Sequence, residues 1–102
     1  MHYLLMYDVV DDYVDRRAPF RQEHITLARA AVARGELVLG GALAQPADGV
    51  VLLFRSTSPV AAEQFAKSDP YVREGIVTKW RVREWTTVVG EAAENPLPQN
   101  LS

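Results

Sequence analysis

The sequence predicts an α+β domain with the ferredoxin-like βαββαβ order, and three observations predict it. Four apolar runs of strand character stand at residues 2–8, 37–43, 50–55 and 77–89. Helical stretches separate the first run from the second and the third from the fourth. A short turn containing Pro46 and Asp48-Gly49 joins the middle two runs directly, as in a hairpin. Strand, helix, hairpin, helix and strand is the split βαβ arrangement.

Each element has a local reason. Residues 2–8 open the chain as a short strand. Between 16 and 34, Phe20, His24, Leu27, Ala28 and Ala31 recur at steps of three and four, so they share one face of a helix. Asp15 is the candidate N-cap of that helix, and Pro19 is tolerable in its first turn. Gly35 can supply the left-handed residue that stops it. The second helix opens at Ser58-Pro59, with Ser58 as N-cap, and buries Ala62, Phe65 and Ala66. It ends at Ser68-Asp69-Pro70, because the residue before a proline avoids helical angles. Gly75 lets the backbone turn into the last strand. The domain spans 1–90, and the Glu-, Asn- and Pro-rich stretch 91–102 reads as a mobile tail or an arm resting on a partner.

Composition narrows the functional classes. The 102 residues suit one domain, and 48% hydrophobic with 24% charged residues suits an ordinary globular one. With 11 basic against 13 acidic residues there is no positive surplus to neutralise phosphates, which argues against nucleic acid. No cysteine is present, so disulfides, thiolate metal sites and a cysteine nucleophile are excluded. The opening apolar run is too short for a signal peptide or a membrane span, and the expected location is cytoplasmic.

Strand pattern speaks to assembly. In Tyr3-Leu4-Leu5-Met6 and Val50-Val51-Leu52-Leu53-Phe54, residues of both parities are apolar, so both faces of these strands need cover. Two helices cover one face only. A second copy of the same sheet is the simplest cover for the other, which predicts a face-to-face homodimer. Lys79, Arg81 and Arg83 alternate with Trp80 and Val82, so the last strand has one wetter face.

Few residues carry chemistry. His24 points inward by periodicity and is a candidate general acid or base, since histidine changes charge near neutral pH. On position alone, a core histidine bonded to a carbonyl is the commoner outcome. Asp69 can accept a hydrogen bond from His24 and fix its tautomer, or it can simply begin a turn. Tyr71 can offer a hydroxyl to a pocket or be plain core. Gly40-Gly41 can mark a bulge or a close backbone approach to a ligand. It is not a phosphate loop, because no Lys-Ser/Thr and no helix start follow it. Arg16-Arg17 and Arg21 suit an acidic substrate, but their default reading is a solvated helix face. Metal binding is not expected: there are two histidines, His2 lies in the mobile first residues, and Glu23 does not share the face of His24.

Taken in order, several segments resemble the YciI-like family of small dimeric α+β-barrel proteins. They are Tyr3-Leu4-Leu5-Met6-Tyr7, Glu23-His24 with Leu27, Gly35-Glu36-Leu37 and Gly40-Gly41-Ala42-Leu43. The most specific is Ser68-Asp69-Pro70-Tyr71-Val72, followed by Gly75-Ile76 and Trp80-Arg81-Val82-Arg83. The resemblance implies a dimeric α+β barrel in which His24 and Asp69 form an acid–base pair; Tyr71 and Gly41 are expected near the same cavity, as substrate-binding residues. It implies no cofactor and no metal. It also implies a lyase or isomerase acting on a small molecule, in one case a dehydrochlorinase on a chlorinated hydroxyhydroquinone of aromatic degradation. The competing class is a non-catalytic ligand-binding or regulatory module, in which the pair only organises the pocket.

Overall fold

A computed structural model describes residues 1–100 of the chain. Strands β1 (His2–Val9), β2 (Leu37–Ala42), β3 (Gly49–Arg55) and β4 (Val77–Trp85) form one antiparallel sheet in the order β2-β3-β1-β4. The two strands with apolar residues of both parities, β1 and β3, are the central pair, as their pattern requires. Helices α1 (Tyr13–Arg17) and α2 (Arg21–Ala33) follow β1; α3 (Val60–Ser68) and α4 (Pro70–Arg73) follow β3.

The first helical stretch departs from the expected 16–34. It begins at Tyr13, so Asp15 lies inside the first turn and is not an N-cap. Pro19 then falls within a 3-10 turn, Ala18–Phe20, that separates α1 from α2. A proline lacks the amide that would continue the ladder, and the chain tightens there before α2 begins. The end of α2 is as expected. Gly35 adopts φ +78°, its N–H reaches the Val32 carbonyl, and the Glu36 N–H reaches that of Ala31, at 2.9 and 3.0 Å. This paired closure needs a left-handed residue, which glycine supplies without strain. α3 begins one residue later than expected: Pro59, not Ser58, stands at its N-cap, and the Ser58 hydroxyl accepts from the Val60 N–H at 3.3 Å from outside the helix.

Tyr3, Leu5 and Tyr7 of β1 and Val50, Leu52 and Phe54 of β3 point under the helices and are buried. Ala31, Ala62, Phe65 and Ala66 meet them from α2 and α3, with Phe65 edge-on to Phe54 at 5.5 Å between centroids. Each fully buried Leu or Phe in this layer contributes roughly 1.5–3 kcal/mol. Among the described residues, no helix covers the opposite face. There Leu4, Met6, Val51 and Leu53 are half-buried, and Lys79, Arg81 and Arg83 flank them in the wet rows of β4.

The C-terminal part differs from expectation in two ways. β4 stops at Trp85 rather than Val89, because its pairing with β1 runs out at His2↔Trp85. The chain then folds back on its own domain: the Asn95 and Leu97 N–H groups bond the carbonyls of Thr87 and Val88. His2 is not in a mobile end. It is 2% exposed, its Nδ1 lies 2.8 Å from Thr87 Oγ1, and Glu94, which also pairs with Arg55, stands beside its other nitrogen. The last two residues of the tail read as 91–102 lie outside the described residues.

Candidate active site

The site is built around a sharp stop in the chain. Pro70 forces Asp69 out of helical angles, to φ −77° and ψ 124°, which ends α3. Pro70 is then free to open α4, and Asp69 becomes the cap of that short turn: its Oδ1 accepts from the Tyr71 N–H at 2.9 Å. The same backbone angles direct its carboxylate into the domain, where it is completely buried. From β1 the Tyr7 hydroxyl donates to Oδ2 at 2.7 Å. From α2, His24 Nδ1 lies 3.0 Å from both carboxylate oxygens. A buried carboxylate without partners costs several kcal/mol; here donors from three different elements converge on it.

These contacts fix the imidazole. A carboxylate only accepts, so Nδ1 carries a proton, and in the neutral ring Nε2 is the nitrogen with the lone pair. The ring lies flat on Tyr71, with centroids 4.0 Å apart and planes 9° apart, and meets Phe65 edge-on at 6.2 Å. His24 lines a cavity of about 450 Å³ between α2 and β2, whose far wall is formed by Gly40, Gly41, Ala42, Val50 and Leu52. Positioned in this way, the histidine can take a proton from, or return one to, a small molecule in the cavity, with Asp69 stabilising the imidazolium between the two steps.

The expected residues fall into place unevenly. His24 and Asp69 are brought together. Gly41 lines the cavity, and a side chain there would meet nothing within 4 Å, so its openness is not a packing requirement. The register shift of β2 lies between Leu37 and Leu39, ahead of the glycine pair. Tyr71 is not in the cavity wall: it is completely buried behind the imidazole, and its hydroxyl has no hydrogen-bond partner among the described residues. Burial, and then Tyr13, push that hydroxyl above the ordinary tyrosine value, while Arg21 and Arg17 pull against them.

Sequence reasoning missed Tyr7. Burial first, then the charge of Asp69 and the hydrogen bond to it, hold its hydroxyl protonated far above the usual range. The available signal was parity: Tyr7 shares the inward face of Tyr3 and Leu5, and a buried tyrosine hydroxyl needs a partner. Arg17 and Arg21 are also more than a solvated helix face, because both line the cavity, as does Arg29.

The model of the YCII-related domain matches residues 1–86. The chain belongs to the YCII-related family. Among solved structures it is similar to the 5-chloro-2-hydroxyhydroquinone dehydrochlorinase of Burkholderia phenoliruptrix AC1100, described in complex with 2,5-dihydroxybenzoquinone. The TM-score is 0.72 at 16% identity over 92% of this chain and 100% of that one. At that identity the likeness establishes the shared α+β fold. No curated protein matches the chain. Across the described residues, no helix is long and apolar enough to cross a membrane.

Proposed function

We propose that this YCII-related protein is a small-molecule lyase or isomerase that works by proton transfer at His24, with Asp69 as the residue that orients and stabilises the imidazole. The observation that carries the reading is the contact at 3.0 Å between His24 Nδ1 and a fully buried Asp69, which leaves Nε2 as the free nitrogen of a cavity-lining residue. Tyr7 and Tyr71 hold the pair from outside the cavity.

A dehydrochlorination fits these means, and the chemistry named for the structural neighbour supports it. A chlorinated hydroxyhydroquinone can tautomerise so that its chlorine sits on a saturated ring carbon. His24 Nε2 then takes a proton from a ring hydroxyl. The O–H electron pair becomes a carbonyl, the conjugated double bond shifts toward the chlorinated carbon, and chloride leaves with the C–Cl pair. The net change is loss of HCl, the ring becomes quinoid, and the chain supplies only a base. In the working assembly, a second copy packs on the open face at Leu4, Met6, Val51 and Leu53.

Chloride release from 5-chloro-2-hydroxyhydroquinone and related chlorinated quinols tests the reading. His24→Ala should lower kcat by about 10²–10⁴ and leave most substrate binding intact. Equal rates for wild type and variant would remove His24 from the chemistry. No turnover of any chlorinated quinol, hydroxyquinol or muconolactone would instead favour a ligand-binding module.

A further inference from the structure

The cavity gathers positive charge. Arg17, Arg21 and Arg29 line it, and none of its lining residues is acidic. Arg16, Arg34, Arg55, Arg73 and Arg81 each have a carboxylate within 4.0 Å. Among the described residues, no such pair includes Arg17, Arg21 or Arg29. Three uncompensated guanidinium groups at one cavity, in a chain whose formal net charge is −2, concentrate a positive field there.

One of these groups is preorganised. Arg17 is half-buried, its Nη1 donates to the Tyr13 hydroxyl at 3.2 Å, and its Cζ lies 4.8 Å from the centre of the Tyr13 ring. Holding a guanidinium in this way leaves most of its five N–H donors free at little further entropy cost. Arg21 begins the helix that carries His24, and with Arg17 it lines the same cavity as that histidine. The arginines and the proposed base therefore belong to one constellation. The opposite wall, at Gly40, Gly41 and Leu52, is apolar and presents no side chain at the glycines, which suits a flat ring.

We infer that the cavity takes a planar substrate bearing a delocalised oxyanion, a carboxylate or an acidic enolate, which Arg17 and Arg21 hold while its ring lies beside His24. The inference rests on the reading of this cavity as the substrate site. Guanidinium groups match a two-oxygen anion in shape as well as charge.

Titration calorimetry on the full chain tests this with two pairs of probes. One pair is 2,5-dihydroxybenzoate and its uncharged amide, 2,5-dihydroxybenzamide. The other is 2,5-dihydroxy-1,4-benzoquinone, a vinylogous acid that is ionised at neutral pH, and its dimethyl ether, which cannot ionise. At least one anion should bind about ten-fold or more tightly than its neutral counterpart, the scale of a charge-assisted hydrogen bond. The pair that shows the effect identifies carboxylate or enolate as the anion. Arg21→Gln, at an exposed position that should not disturb folding, should cut that preference by about ten-fold. Arg16→Gln removes the same charge from the same stretch but lies outside the cavity, and should leave it unchanged. The inference is overturned if neither anion binds wild type, if both neutral probes bind as well as the anions, or if Arg17→Gln and Arg21→Gln both keep the full preference. Anion preference without turnover would count against the catalytic reading alone. Turnover of uncharged substrates, indifferent to both arginines, would count against the anion alone.

Discussion

Asp69→Asn separates the two things the carboxylate does. In the wild type its two oxygens accept from Tyr71 N–H at 2.9 Å, Tyr7 O–H at 2.7 Å and His24 Nδ1 at 3.0 Å. An asparagine of the same shape has one oxygen and one NH₂ group. The Tyr71 N–H is fixed in the backbone and claims the oxygen. The NH₂ then faces Tyr7 and His24. The Tyr7 hydroxyl can rotate and accept. His24 Nδ1 lies 3.0 Å from the NH₂ position and from the oxygen alike; moving its proton to Nε2 lets Nδ1 accept from the NH₂, satisfies both amide hydrogens, and gives the cavity an N–H in place of a lone pair. The stability change is small. Three charge-assisted bonds become neutral, at roughly 1 kcal/mol each. Against that, the amide escapes a carboxylate's burial penalty of several kcal/mol. A net change of about 1 kcal/mol shifts Tm by roughly 4–8 °C in a domain of this size. The catalytic change is large, because a base locked in the wrong tautomer loses on the order of 10⁴ in rate. Two-bond ¹⁵N–¹H spectra report the tautomer directly, and a thermal melt reports the fold. An Asp69→Asn variant that melts near wild type and still shows His24 protonated on Nδ1 would refute the reasoning; so would a variant that fails to fold.

Two further outcomes follow from the same geometry. The Tyr7 hydroxyl is held well above its ordinary value of 10.0. Below that pH both folded and unfolded states keep the proton, so the contribution is constant. Above it the unfolded chain releases the proton first, and stability falls by about 1.4 kcal/mol per pH unit for this group. Denaturant midpoints between about pH 9 and 11 should therefore fall less steeply for Tyr7→Phe than for wild type, and identical slopes would show that Tyr7 is not held protonated by the fold. The half-buried row Leu4, Met6, Val51 and Leu53 should pack on a second copy, so light scattering at micromolar concentration should give a dimer or a multiple of it, and Leu53→Glu should shift it toward monomer. A wild-type monomer under those conditions would end that reading.

The parts of the fold that are legible in the sequence are those encoded locally or by period. The inward face of α2, the Gly35 stop, the Ala62-Phe65-Ala66 face and the central placement of β1 and β3 all follow from spacing and from single special residues. The break at Pro19 is not legible, because a proline is compatible both with a first turn and with a 3-10 link between two helices, and only packing chooses. The ordered N-terminus is hidden for a different reason: His2 is held by Thr87, 85 residues away along the chain, and no local rule reports such a contact.

The candidate site divides along the same line. Asp69-Pro70-Tyr71 is one short motif with four jobs. It stops α3, caps α4, supplies the carboxylate and places an aromatic ring flat against His24. Proline's restriction on the residue before it produces the first job and thereby aims the carboxylate inward, so the motif's structural and chemical readings are not rivals. Tyr7 and the arginines lie on elements other than the motif, and each is ordinary by itself: a tyrosine in an apolar strand, cations on the helices α1 and α2. What they do depends on the partner that the topology brings to them. Because β1 is a central strand beneath the helices, the inward parity of Tyr7 delivers its hydroxyl to Asp69, at the point where the end of α3 meets the first turn of α2. A polar side chain of inward parity on a central strand is thus a usable signal for the third member of a buried constellation, once a histidine and an aspartate have been placed above the same sheet.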